Sequence, residues 1–104
     1  MNTIQTTNRP DNRTELWLPL SGPLDRWGAI RLRSWVQAHV SNDCNKIVFD
    51  LRKTSFIDSD GIRTLRDVAA SCGGVEVSLL NAKPKVHRTL SMSQMDRLVH
   101  LPKV

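Results

Sequence analysis

These 104 residues predict a small α/β domain, a mainly parallel sheet packed with about three to four helices. Three features of the pattern point to it. Apolar positions switch repeatedly between the two-residue period of a strand and the 3.6-residue period of a helix. One strand candidate, Ile47-Val48-Phe49 with Leu51, is apolar at successive positions, as befits a strand buried on both faces of a parallel sheet. The elements also follow one another as strand, helix, strand, the order from which parallel sheets are built.

Residues 1–13 are polar, contain Pro10 and have no apolar period, so they read as a flexible lead-in to one domain over 14–104. Leu16, Leu18 and Leu20 alternate with Glu15, Trp17 and Pro19 as a half-buried strand, with Trp17 on the face opposite the leucines, and Gly22-Pro23 reads as the turn that closes it. From Asp25 to Val40 the period is helical, with Ala29, Leu32, Trp35, Val36 and Val40 on one core-facing stripe. Trp27 and Ile30 point away from that stripe. Either they pack at the helix start or they form an exposed apolar contact for a partner or a second copy.

After the buried strand, residues 52–58 read as a loop, and a second helix runs from Ser59 to Cys72 with Ile62, Leu65, Val68, Ala69 and Cys72 on its apolar stripe. Gly73-Gly74 suits a left-handed stop. Val75, Val77, Leu79 and Leu80 form a further strand, and Pro84 opens a short helix reaching Ser91. In the tail, Met95, Leu98, Val99 and Leu101 are the residues able to dock on the core.

A composition of 39% hydrophobic and 24% charged residues places the chain among ordinary globular domains rather than disordered or membrane chains. No apolar stretch reaches the length of a membrane span, and the N-terminus has no secretory apolar segment, so a cytoplasmic location is expected. Cys44 and Cys72 lack disulfide-scaffold or C-x-x-C character and read as reduced thiols. His39, His87 and His100 have no metal-ligand spacing, and no nucleophile, base or phosphate-loop motif occurs, so neither a cofactor nor enzymatic activity is expected. The net charge of +5 is spread without basic runs, and Tyr is absent, which argues against a nucleic-acid surface.

One segment carries more than fold information: Ile47-Val48-Phe49-Asp50-Leu51, then Phe56-Ile57-Asp58-Ser59-Asp60-Gly61-Ile62. It resembles the hallmark of the STAS family, a hydrophobic strand ending Asp-Leu, a short loop, and Asp-Ser-Ser/Thr-Gly-Leu opening a helix. Leu20-Ser21-Gly22-Pro23-Leu24-Asp25 resembles the family's Gly-x-Leu-Asp, while Val86-His87-Arg88-Thr89-Leu90 with Met95-Asp96-Arg97-Leu98 resembles its C-terminal motifs. Gln94 stands where the ending usually has Gly, and the residues after it leave little room for a final helix.

The resemblance, strongest to bacterial anti-sigma factor antagonists, implies a non-catalytic module that binds an anti-sigma factor doubling as a serine kinase. Phosphorylation of the second hydroxyl in Asp-Ser-Ser-Gly releases that partner. Here the position is Asp60, which cannot accept a phosphoryl group from such a kinase. Two versions follow: Asp60 fixes the loop with one negative charge, partly imitating phosphoserine, or Ser59 is the acceptor. A third reading needs no switch, with Asp58 or Ser59 capping the helix and Asp60 complementing its dipole.

By the same resemblance, Asp25 lies beside this loop, and Arg63 and Arg66 lie on the outer helix face that family members present to partners. Asp25 alternatively caps the first helix, and Asp60 with Arg63 alternatively forms an i, i+3 pair. The other partner class implied is a transporter ATPase, with the chain as a non-switching accessory subunit, for example in lipid transport. A monomer or weak homodimer is expected.

Overall fold

Alternation at Leu16, Leu18 and Leu20 commits the chain to a strand with one buried face, and all three leucines are buried. The computed structural model describes residues 5–8, 14–40, 44–71 and 75–102. In chain order the elements are β1 (Gln5–Asn8), β2 (Thr14–Pro19), β3 (Gly22–Leu24), α1 (Arg26–His39), β4 (Cys44–Asp50), β5 (Thr54–Ile57), α2 (Ser59–Ser71), β6 (Glu76–Leu80) and α3 (Pro84–Met92), followed by one 3₁₀ turn, Met95–Arg97.

The main sheet runs in the order β1-β2-β4-β6. β2, β4 and β6 are parallel, while β1 lies antiparallel to β2. Registers Leu16↔Ile47↔Val77 and Leu18↔Phe49↔Leu79 place six apolar side chains on one face. Leu32 of α1, Leu65 and Val68 of α2, and Val86 and Leu90 of α3 join these residues in one core. Burial of each such side chain contributes about 1.5–3 kcal/mol. On α1, Trp35 stacks on His39 at 5.3 Å and meets Phe49 edge-on at 6.2 Å, tying that helix to the middle strand.

β4 is buried on both faces, as its unbroken apolar run predicts: Ile47, Val48 and Phe49 are each at most 1% exposed. The α1 and α2 stripes also lie as expected, with Ala29, Leu32, Leu65 and Val68 buried and Trp35, Val36, Val40, Ile62 and Ala69 packed against the core.

Three corrections concern short strands. The flexible lead-in expected over residues 1–13 is a strand over Gln5–Asn8, where Thr6↔Leu16 and Thr7↔Glu15 pair with β2. Edge pairing is made by backbone groups, so it leaves no apolar period to read. Gly22-Pro23 belongs to β3 rather than to a turn alone, and the expected loop 52–58 contains β5. The expected Gly73-Gly74 stop, Cys72, Pro10 and the remainder of the lead-in lie outside the described residues, as do the side chain of Cys44 and the last two residues.

In the tail, Met95 and Val99 are buried and Leu101 is partly so, whereas Leu98 is exposed. His100 forms a parallel bridge with Ser78, its N–H donating to Val77 O (2.9 Å) and its carbonyl accepting from Leu79 N (2.8 Å). The tail thus extends the sheet beyond β6.

Candidate functional site

The site is built on the second, smaller ladder. β3 and β5 run parallel, with Gly22↔Thr54 and Leu24↔Ile57 opposed, so the helices that follow them start side by side. Asp25 closes the first start: its Oδ1 accepts from the backbone N–H of Trp27 and Gly28, both at 3.0 Å. Asp58 closes the second, its Oδ1 accepting from Asp60 N at 2.9 Å and Gly61 N at 3.1 Å. Each carboxylate satisfies two donors that a helix start leaves unpaired and complements the positive end of the helix dipole.

The two starts touch through their backbones. Asp58 N–H donates to Leu24 O at 3.3 Å. A Cβ on Gly61 would fall 2.3 Å from that same carbonyl oxygen, and one on Gly28 would fall 2.7 Å from Pro23 O. Only hydrogen fits at either place, so the glycine of the Asp-Ser-Asp-Gly segment is needed for close approach. Upstream, buried Thr54 donates from Oγ1 to Leu20 O at 2.8 Å, fixing where β5 begins. Asp50 Oδ1 accepts from Arg52 N and Asn81 Nδ2, which gives the Asp-Leu pair at the end of β4 a turn-forming role.

Ser59 and Asp60 occupy the first two positions of α2, with Ser59 exposed and the Asp60 side chain 45% exposed. Asp60 Oδ1 lies 3.9 Å from Arg63 Nη1, a loose i, i+3 pair worth about 0–1 kcal/mol at such exposure. Arg66 points elsewhere: its Nη2 donates to Ser93 O at 3.1 Å, on the side of α3 and the tail. Of the two alternatives for Trp27 and Ile30, exposure is the one observed, at 68% and 49%.

Ile30, Asp60 and Arg63 come together in a shallow groove of about 140 Å³ between α1 and α2, which Arg26, Arg33 and Thr64 also line. Sequence reasoning did not single out Arg26, Arg33 or Asp67. Arg33 bridges the helices, donating from Nη2 to Asp67 Oδ2 (2.9 Å) and from Nε to buried Thr64 Oγ1 (3.3 Å). The spacing Arg26, Ile30, Arg33 was the available signal, an i, i+4, i+7 stripe beside the core stripe.

A second cavity of about 230 Å³ lies between β2, β3 and α1, lined by Leu18, Leu20, Leu24, Leu32 and Trp35 with Arg31. Among the described residues no group of three His, Cys, Asp or Glu side chains is placed to hold a metal ion. The arrangement presents two capped helix starts and a groove to solvent; it is suited to recognition.

The model of the STAS domain matches residues 3–103, and the chain belongs to that family. Its fold is similar to an anti-sigma factor antagonist from Mycobacterium paratuberculosis, at 21% identity and a TM-score of 0.72, covering 100% of this chain and 87% of that one. It is similar also to the phosphorylated form of the Bacillus cell fate determinant SpoIIAA, at 17% identity and a TM-score of 0.67, over 97% of this chain and 92% of that one. The STAS domain of a SulP transporter from Vibrio cholerae is similar at 23% identity with a TM-score of 0.65, over 83% of this chain and 70% of that one. No curated protein sequence matches the chain. No helix among the described residues is long and apolar enough to cross a membrane.

Proposed function

We propose that the chain is a regulatory protein-binding module of the anti-sigma factor antagonist type. It presents the Asp58-Ser59-Asp60-Gly61 loop, with Asp25 alongside and Arg63 on the following helix, to an anti-sigma factor that is also a serine kinase. The observation that supports this most is the helix start at Asp58, locked by Gly61 against Leu24 yet leaving Ser59 exposed and Asp60 partly exposed. A rigid scaffold with an exposed hydroxyl and carboxylate suits recognition by another protein.

At the position where relatives carry the acceptor, Asp60 already places a carboxylate beside Arg63. A serine kinase finds no hydroxyl to phosphorylate at that residue, and Ser59 Oγ is the hydroxyl left in the loop. The test incubates the chain with ATP and the switch kinase encoded nearest its gene, then measures complex formation and the mass of the Thr54–Arg63 peptide. A complex weakened by Arg63→Glu supports the reading. Phosphate on Ser59 marks a relocated switch, whereas an unmodified peptide in a stable complex marks a constitutive antagonist. The reading fails if neither complex nor modification is found.

The replacement of the acceptor by Asp60 also favours a second reading, a non-switching accessory subunit that docks on a transporter ATPase. Stable co-purification with an ATP-binding cassette subunit, unaffected by kinase and ATP, supports that role over the first.

A further inference from the structure

We propose that the groove between α1 and α2 receives an acidic segment of the protein partner, apolar at its centre, and that α1 supplies as much of the docking surface as the loop does. This rests on the reading of the chain as a protein-binding module and names the chemistry of the partner's contacting face.

The groove's floor and rim come from both helices. Ile30 is 49% exposed on α1, and Trp27, one turn before it, is 68% exposed. Two large apolar side chains left bare on neighbouring turns form the kind of anchor around which interfaces are built. Arg26 and Arg33 flank Ile30 at i−4 and i+3, and Arg63 faces them from α2 across the same groove. Helix α1 carries Arg26, Arg31 and Arg33 and no acidic residue along Arg26–His39.

The carboxylates nearby are already engaged. Asp67 is held by Arg33 at 2.9 Å, Asp60 lies 3.9 Å from Arg63, and Asp25 and Asp58 are turned to the helix starts they cap. A basic partner would find its countercharges occupied. An acidic one meets the exposed Arg26 and can draw Arg63 away from a loose pair. Asp60 in the groove's lining also opposes a flat anionic membrane, whereas a narrow segment can seat beside it.

The chemistry gives Asp60 a regulatory meaning. It competes with the partner's acids for Arg63, so removing its charge strengthens docking. With an uncharged hydroxyl in place of the Asp60 carboxylate, Arg63 would be uncommitted.

Two synthetic helical peptides of equal length test this, sharing one leucine stripe flanked by glutamates in one and by lysines in the other. Each is titrated into the isotope-labelled full chain, with binding read by fluorescence anisotropy and amide shifts. The glutamate peptide is expected to bind, to shift the amides of 26–33 and 60–64, and to lose about threefold or more in affinity between roughly 50 and 200 mM salt. Arg26→Glu and Arg63→Glu should each weaken it by about threefold to tenfold, with helical circular dichroism retained, while Asp60→Asn strengthens it by a factor of about two to five.

Failure of the glutamate peptide to bind, equal binding of both, shifts confined to other surfaces, or preferential binding of the chain to phosphatidylglycerol vesicles would each overturn the proposal. Because these probes contain no kinase, a chain that binds the glutamate peptide but no switch kinase refutes only the proposed function. A kinase complex insensitive to salt and to Arg26→Glu refutes only the acidic groove.

Discussion

Gln94 holds φ at 61° and ψ at 27°, in the left-handed region that an L side chain enters at a cost of about 1–2 kcal/mol. It is the residue that departs from the glycine usual at this point of the family's ending, and the backbone has kept the conformation glycine would favour. Gln94→Gly is therefore expected to stabilise the fold by about 0.5–1 kcal/mol, less than the full strain because glycine also loosens the unfolded chain. A rise in the urea midpoint at unchanged slope is the readout, and a fall would show that the Gln94 side chain contributes more than its backbone costs. Gly61 behaves oppositely. With Leu24 O at 2.3 Å from its missing Cβ, Gly61→Ala has to push α2 away from β3, and a loss of at least about 2 kcal/mol is expected in the same measurement.

At the scale of elements, the two helix starts act as one unit because the Asp58 N–H reaches Leu24 O, one residue before the Asp25 cap. Asp58→Ala and Asp25→Ala should each cost about 0.5–2 kcal/mol through lost capping. In the double variant the losses should fall short of additive by about 0.5 kcal/mol or more, as for groups in contact, and a double-mutant cycle in urea checks it; strict additivity would mean that the starts fold independently. The caps themselves were legible in the sequence, since Asp before a helical period is a start signal. Their juxtaposition was not. It depends on β3 and β5, strands of three and four residues whose short ladder has no alternation long enough to register, and on main-chain contacts that no residue type announces. The long elements were legible for the opposite reason: α1, α2 and β4 each bury several side chains, so packing had written their period into the sequence. The groove between the helices was half legible, because Ile30, Asp60 and Arg63 stood out singly while the Arg33–Asp67 bridge that brings the helices together spans 34 residues.

For the molecule as a whole, the decisive feature is how the sheet ends. A bare β6 edge would offer unpaired backbone groups to other chains, and the tail removes that hazard by pairing His100 between Val77 and Leu79. The tail is held there by its own anchors: Met95 is fully buried and Val99 nearly so, both in the same core as Phe49 and Leu65. Leu98, 53% exposed between them, takes no part. Truncating the anchor should therefore act on global stability. Met95→Ala is expected to cost about 2–5 kcal/mol, a large share of the roughly 5–15 kcal/mol that holds a domain together. Leu98→Ala, of similar composition and three residues away, should stay within about 0.5 kcal/mol. Hydrogen exchange distinguishes the route: if the tail is part of the cooperative core, Met95→Ala accelerates exchange at Leu79 and His100 together with Phe49 in β4. Acceleration restricted to Leu79 and His100, with Phe49 unchanged, would instead make the tail a separately opening flap and leave β6 an intermittently exposed edge.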